Sequence, residues 1–166
     1  MLIVFGGLPG VGKSEIAREL ARQIGATYLR IDSIEQTLRD FAQPMNDAGY
    51  RAAYAMAEDN LKLGRAVVAD CVNPLQITRD AWLDVAARAG VRAIEVEVLC
   101  SDADEHRRRV EHRVSDVPGL RLPTWHDVIS REYHPWTREH IVLDTANQTP
   151  QQVVHSLRNH LESGGK

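Results

Sequence analysis

Gly7-Leu8-Pro9-Gly10-Val11-Gly12-Lys13-Ser14 forms a complete G-x-x-x-x-G-K-S phosphate-binding loop. It follows an apolar run, Leu2-Ile3-Val4-Phe5, and leads into a helix-period segment, the strand–loop–helix context that the motif requires. Glycines let the backbone curl so that successive N–H groups converge on phosphate oxygens. Lys13 is then placed for the β- and γ-phosphates, and the Ser14 hydroxyl for Mg²⁺. The loop ends at a helix N-terminus, where unpaired N–H groups and the helix dipole favour an anion. These residues predict a nucleoside triphosphate site for ATP with Mg²⁺.

In parallel α/β sheets ligands sit beyond the carboxyl ends of the strands, so polar residues that end apolar runs are the next candidates. Asp32 ends the second such run and Asp70 the third. Phosphoryl transfer needs positioning and charge neutralisation, plus a carboxylate to accept the proton of an attacking hydroxyl. Asp32 is the candidate base; its plainer reading is a helix N-cap, a role that Ser33 already fills by sequence. Asp70 could hold Mg²⁺ through water or orient the acceptor, and an Asx-turn with Asn73-Pro74 is its plainer reading.

His106-Arg107-Arg108-Arg109-Val110-Glu111-His112-Arg113 carries four arginines against one glutamate. Arg109 and Arg113 are four apart and would share a helix face. Planar guanidinium groups suit bidentate capture of phosphate oxygens. The following segment, 114–123, contains Pro118, Gly119 and Pro123. It reads as part of a lid, about 106–132, that brings the arginines over the nucleotide; a solvated basic face is the alternative. The seven histidines lack the spacing of a zinc-binding helix and read as surface residues. Trp82, Trp125 and Trp136 read as packing residues.

Alternating apolar runs and helix-period segments must position these groups. The first helix carries Ile16, Ala17, Leu20, Ala21 and Ile24 on one face and stops at Gly25. Residues 26–31 read as the second strand, and Ser33 with Gln36 as a capping box for a short helix through Phe41. Residues 43–46 read as a loop, 48–63 as a helix closed by Gly64, and 66–69 as a strand buried on both faces. A helix over 77–89 and a strand over 91–99 follow, then a helix capped by Ser101 with Asp104. Thr124 and Asp127 cap another helix, 141–143 form the fifth strand, and Thr149-Pro150-x-Gln152 opens the last helix. Residues 163–166 read as a flexible tail. The alternation predicts an α/β fold, a parallel sheet with helices on both sides.

A chain of 166 residues fits one domain, here residues 1–166. The net charge of −3 gives no general attraction to nucleic acid. Two cysteines, Cys71 and Cys100, are too few for a disulfide framework and read as reduced thiols. The opening apolar run is too short for a signal peptide, and no run reaches membrane-spanning length. A cytoplasmic protein with no membrane partner is expected.

On Gly7 to Ser14, Arg30-Ile31-Asp32-Ser33, Val68-Ala69-Asp70-Cys71-Val72-Asn73-Pro74 with Arg79-Asp80-Ala81-Trp82, and Arg109-x-x-x-Arg113, the chain resembles small P-loop kinases of the nucleoside-kinase-like group. It looks most like the AAA-33-type ATP-binding proteins, which are similar to the polynucleotide 5′-kinase domain, adenylylsulfate kinase and zeta toxins. The resemblance spans residues 2 to about 161. It implies a three-layer P-loop NTPase fold with a five-stranded sheet in the order 2-3-1-4-5 and a helical lid. It also implies Asp32 as general base, Asp70 as acceptor orienter, Arg113 and Arg109 as lid arginines, and adenine near residues 144–148. The polynucleotide kinase has an arginine three residues after its base where this chain has Glu35, which leaves Arg39 as the nearest substrate-binding arginine. Adenylylsulfate kinases carry an Asp-Gly-Asp-Asn-type motif where this chain reads Ile31-Asp32-Ser33-Ile34.

The expected reaction is transfer of the ATP γ-phosphoryl group to a hydroxyl of a small molecule. A polynucleotide 5′-hydroxyl is the second acceptor considered. A nucleotide-dependent regulatory ATPase without a phosphorylated product is the third reading.

Overall fold

Apolarity on both faces of the first strand is what makes a three-layer arrangement necessary. A computed structural model of the chain describes residues 1–41 and 47–163; the expected loop at 43–46 and the tail from 164 lie outside them. β1 (Leu2–Gly6) is wholly buried. Ile3 and Phe5 pack with α1 (Lys13–Ile24) and α7 (Pro150–Ser163), whereas Leu2 and Val4 pack with α3 (Ala48–Lys62) and α4 (Gln76–Arg88). Successive side chains on a strand point to opposite faces, so one apolar run supplies both core layers.

Five parallel strands make the sheet: β2 (Thr27–Arg30), β3 (Val67–Asp70), β1, β4 (Ala93–Leu99) and β5 (Ile141–Asp144), in the expected order 2-3-1-4-5. The register pairs Phe5 with Asp70 and Arg30 with Asp70. The phosphate loop, Asp70 and the β2–α2 junction therefore emerge at the same edge of the sheet. α2 (Ile31–Asp40), α5 (Ala103–His112) and the five-residue α6 (Trp125–Ile129) complete the fold.

Two helix starts differ from expectation. β2 ends at Arg30, and Ile31 already belongs to α2, so Asp32 lies in the first helical turn and Ser33 is not the cap. Ile31 is 2% exposed and packs in the layer with α3 and α4, so tertiary burial outweighs the local capping-box signal. In α5 the cap is Asp102, which accepts from the Glu105 amide, rather than Ser101. The Thr124–Asp127 capping box is present as expected, and Thr149 and Gln152 exchange the same reciprocal bonds before α7.

Candidate active site

Between β1 and α1 the loop turns through three glycines of positive φ, Gly7, Gly10 and Gly12. A Cβ on Gly7 would lie 2.2 Å from the Val98 carbonyl oxygen, and one on Gly10 would lie 2.4 Å from Val110 Cγ2. Neighbouring elements thus grip the loop so closely that only glycine fits at these two points. Gly12 is the N-cap of α1 and leaves the first amides of that helix without a side-chain cap, the arrangement that receives an anion. Lys13 is nearly buried, and its Nζ lies 3.5 Å from the Leu8 carbonyl oxygen. Burial pushes its ammonium below the ordinary lysine value, while Asp70 and Asp32 pull it back up.

The carboxylates divide into an open and a closed one. Asp32 is half-buried and lines a cleft of about 1080 Å³ together with Lys13, Ser14, Glu35 and Arg113. Asp70 is 3% exposed, and its Oδ2 accepts from the Tyr28 hydroxyl at 2.7 Å with Arg30 Nε at 3.8 Å. It stands behind the cleft wall, close enough to Lys13 for its charge to act there. For Lys13 it is the strongest opposing influence to burial. Among the described residues the Asp70 side chain bonds to the Tyr28 hydroxyl rather than to the amides of an Asx-turn.

The two arginines of the basic stretch also separate. α5 ends at His112, and Arg113 lies past it with an extended backbone, so the two do not share a helix face. Arg109 donates through Nη1 to Thr145 Oγ1 at 2.8 Å, and through Nη2 to the Thr145 carbonyl at 3.0 Å and to Glu105. Arg113 is half-buried, lines the cleft, and has its Nε buried with no hydrogen-bond partner among the described residues. Desolvation lowers its pKa and the Asp32 carboxylate opposes that, but a guanidinium stays cationic near neutral pH.

Glu35, Arg39, Tyr50, Arg121 and Arg131 also line the cleft. Glu35 packs against Gly49, where a Cβ would lie 2.3 Å from its Cγ, and Arg39 reaches its Oε2 at 3.3 Å. Burial raises the Glu35 carboxyl above its ordinary value despite Arg39, and Asp32 adds to the rise.

Sequence reasoning missed His106. It is 7% exposed, not a surface residue, and its Nε2 lies 2.9 Å from the Pro9 carbonyl oxygen. Trp125 meets the imidazole edge-on at 5.1 Å. The start of the expected lid is therefore packed on the phosphate loop through His106 and Val110. The i, i+4 spacing of His106 and Val110 is the available signal of an inward helix face. Cys71 is buried as expected, and its thiol donates to the Phe5 carbonyl.

The AAA-33 family model, an AAA domain, matches residues 2–131. Shikimate kinase of Corynebacterium glutamicum is 26% identical over 180 residues, covering 97% of this chain and 96% of that protein. Among solved structures, Chaetomium thermophilum Kti12 in complex with ADP-AlF3 is similar with a TM-score of 0.70 at 22% identity, over 96% of this chain and 98% of that one. Mycobacterium tuberculosis APS kinase CysC in complex with AMPPNP and APS gives 0.69 at 20% identity, over 97% and 96%. These structural likenesses show the α/β P-loop fold with its parallel 2-3-1-4-5 sheet.

Proposed function

The chain belongs to the AAA-33 family of AAA domains, and on that premise we propose that it is an ATP- and Mg²⁺-dependent kinase acting on a hydroxyl of a small molecule. One observation carries this reading. Lys13, Asp32 and Arg113 line a single cleft, and Asp32 perturbs both cations electrostatically. A phosphate loop, a carboxylate and a guanidinium are the parts that phosphoryl transfer asks of a protein.

In this mechanism the loop amides and Lys13 hold the β- and γ-phosphates. Ser14, which lines the cleft beside Lys13, would hold Mg²⁺ through its hydroxyl, a hard oxygen donor suited to that ion. When bound, the metal neutralises charge on the β- and γ-oxygens. Asp32 accepts the hydroxyl proton as the acceptor oxygen bonds to the γ-phosphorus. The bond from that phosphorus to the β–γ bridging oxygen breaks, and ADP leaves with the electron pair. Arg113 meets the charge spread over the three equatorial oxygens. Asp70, through its field, opposes the effect of burial on the Lys13 ammonium. Arg39 and Glu35, which line the same cleft, are assigned to holding the acceptor.

A small-molecule acceptor agrees with the relative from C. glutamicum, which is named for a small-molecule substrate. Incubation with γ-labelled ATP, Mg²⁺ and a panel of sugars, hydroxy acids, nucleosides and 5′-hydroxyl oligonucleotides tests the reading. Label on a small organic product supports it. Label confined to oligonucleotides moves the acceptor to nucleic acid, and label found only as inorganic phosphate favours a regulatory ATPase.

A further inference from the structure

We infer that His106 is a positioning residue for nucleotide binding, holding the Pro9 carbonyl outward so that the Gly10 amide faces the phosphates. The inference rests on the proposed binding of a nucleotide at the loop, and adds to it what shapes the loop from behind.

The argument begins with the peptide plane. In a trans peptide the C=O of one residue and the N–H of the next point in opposite directions, and the described residues contain no cis bond. A phosphate cradle needs inward N–H groups, so the preceding carbonyls must point outward and find donors there. Pro9 precedes Gly10, and its carbonyl oxygen lies 2.9 Å from His106 Nε2. A carbonyl oxygen only accepts, so the ring carries a proton on Nε2. Val11 precedes Gly12, and its carbonyl accepts from the Thr145 hydroxyl at 2.8 Å. Alternate carbonyls of the loop are thus each held by a group from elsewhere in the chain.

His106 is itself held. Its backbone amide donates to Asp102 at the start of α5, and Trp125 of α6 packs edge-on against its ring. Gly10 has φ +88°, with Val110 Cγ2 and the His106 ring against the position of its missing Cβ. A glycine at this φ has alternative conformations open to it that other residues lack. A donor outside the loop removes those alternatives before the nucleotide arrives, the preorganisation that raises affinity.

The test is nucleotide binding by titration calorimetry with Mg·ATP, and with adenosine as competitor, in wild type, His106→Phe and His106→Gln. Phenylalanine keeps the ring against Trp125 and removes the N–H; glutamine restores an N–H near the Nε2 position. His106→Phe should lose affinity for Mg·ATP on the order of tenfold, the scale of one hydrogen bond. Adenosine should bind unchanged, and His106→Gln should regain most of the loss. If His106→Phe does not fold, His106→Asn serves, because its amide stops at the Nδ1 position. Full Mg·ATP affinity without the donor, equal losses for adenosine and Mg·ATP, or no recovery in His106→Gln would each overturn the role. A wild-type chain that binds no Mg·ATP would overturn the nucleotide-site reading itself, an outcome visible before any variant is made.

Discussion

Arg30 Nη1 donates to Asp116 Oδ1 at 2.8 Å, joining the end of β2 to the loop that follows α5. Arg18 of α1 takes the other oxygen, Oδ2, so one carboxylate bridges α1 and the end of β2. Arg30 also has its Nε 3.8 Å from Asp70. The segment carrying Arg113 is thereby linked, through Arg30, to Asp70, whose charge acts on Lys13.

Breaking this tie should loosen the loop more than it weakens the fold. Asp116 is half exposed, and exposed ion pairs contribute up to about 1 kcal/mol. Asp116→Asn should leave the melting temperature within a few degrees while hydrogen exchange quickens over residues 113–120. Burial works to raise the Asp116 carboxyl, and the bonds from Arg30 and Arg18 outweigh it, holding it below the ordinary 3.8. A depressed carboxylate stabilises above its unfolded value and loses that contribution as pH falls through the folded one. The difference between wild type and variant should therefore vanish only in strong acid.

Glu35 should behave in the opposite sense. Its folded value is raised from the ordinary 4.5, chiefly by burial. Its favourable contribution is complete below the unfolded value and disappears as pH rises through the folded one. Glu35→Gln should then melt higher than wild type at pH 8, with the gap closing below about pH 4.5. Thermal melts across that range check the sign.

The two arginines of the basic stretch should separate in kinetics once an acceptor is known. Arg113→Ala should lower turnover by about 10³-fold, the lower end for an arginine acting on the transferring group, with little change in nucleotide affinity. Arg109→Ala removes the donors on Thr145, and should weaken Mg·ATP binding more than it slows the bound complex. Single-turnover rates beside equilibrium titrations tell the two apart.

Arg79 is fully buried and donates to the carbonyls of Asn73, Pro74, His134 and Pro135 while its guanidinium stacks 4.2 Å from the Trp136 ring centre. It fastens the loop after Asp70 to the segment before β5. Arg79→Met would leave several buried carbonyls without a donor and should cost at least about 3 kcal/mol. Denaturant titration checks this, and Arg79→Lys, with its single ammonium, should rescue little.

What could be read from sequence follows the range of the interactions. The phosphate loop, the double-faced strands and the Gly25 and Gly64 stops are local patterns, and each appears in the structure. The start of α2 differs from the local pattern because Ser33 and Gln36 resemble a cap, whereas burial of Ile31 decides the boundary. The burial of His106 is not legible locally because its partner, Pro9, is 97 residues away. Asp70 was identified as a strand-end carboxylate, but its partner, Tyr28, comes from a neighbouring strand that only the sheet order brings near.

The most direct test of the central claim compares Asp32→Asn with wild type on one preparation, measuring Mg·ATP affinity and the rate of label transfer to the acceptor. Removing the base that takes the hydroxyl proton should cost about 10²–10⁴ in transfer rate and leave nucleotide affinity within a few fold. Transfer at the wild-type rate in Asp32→Asn would contradict the account.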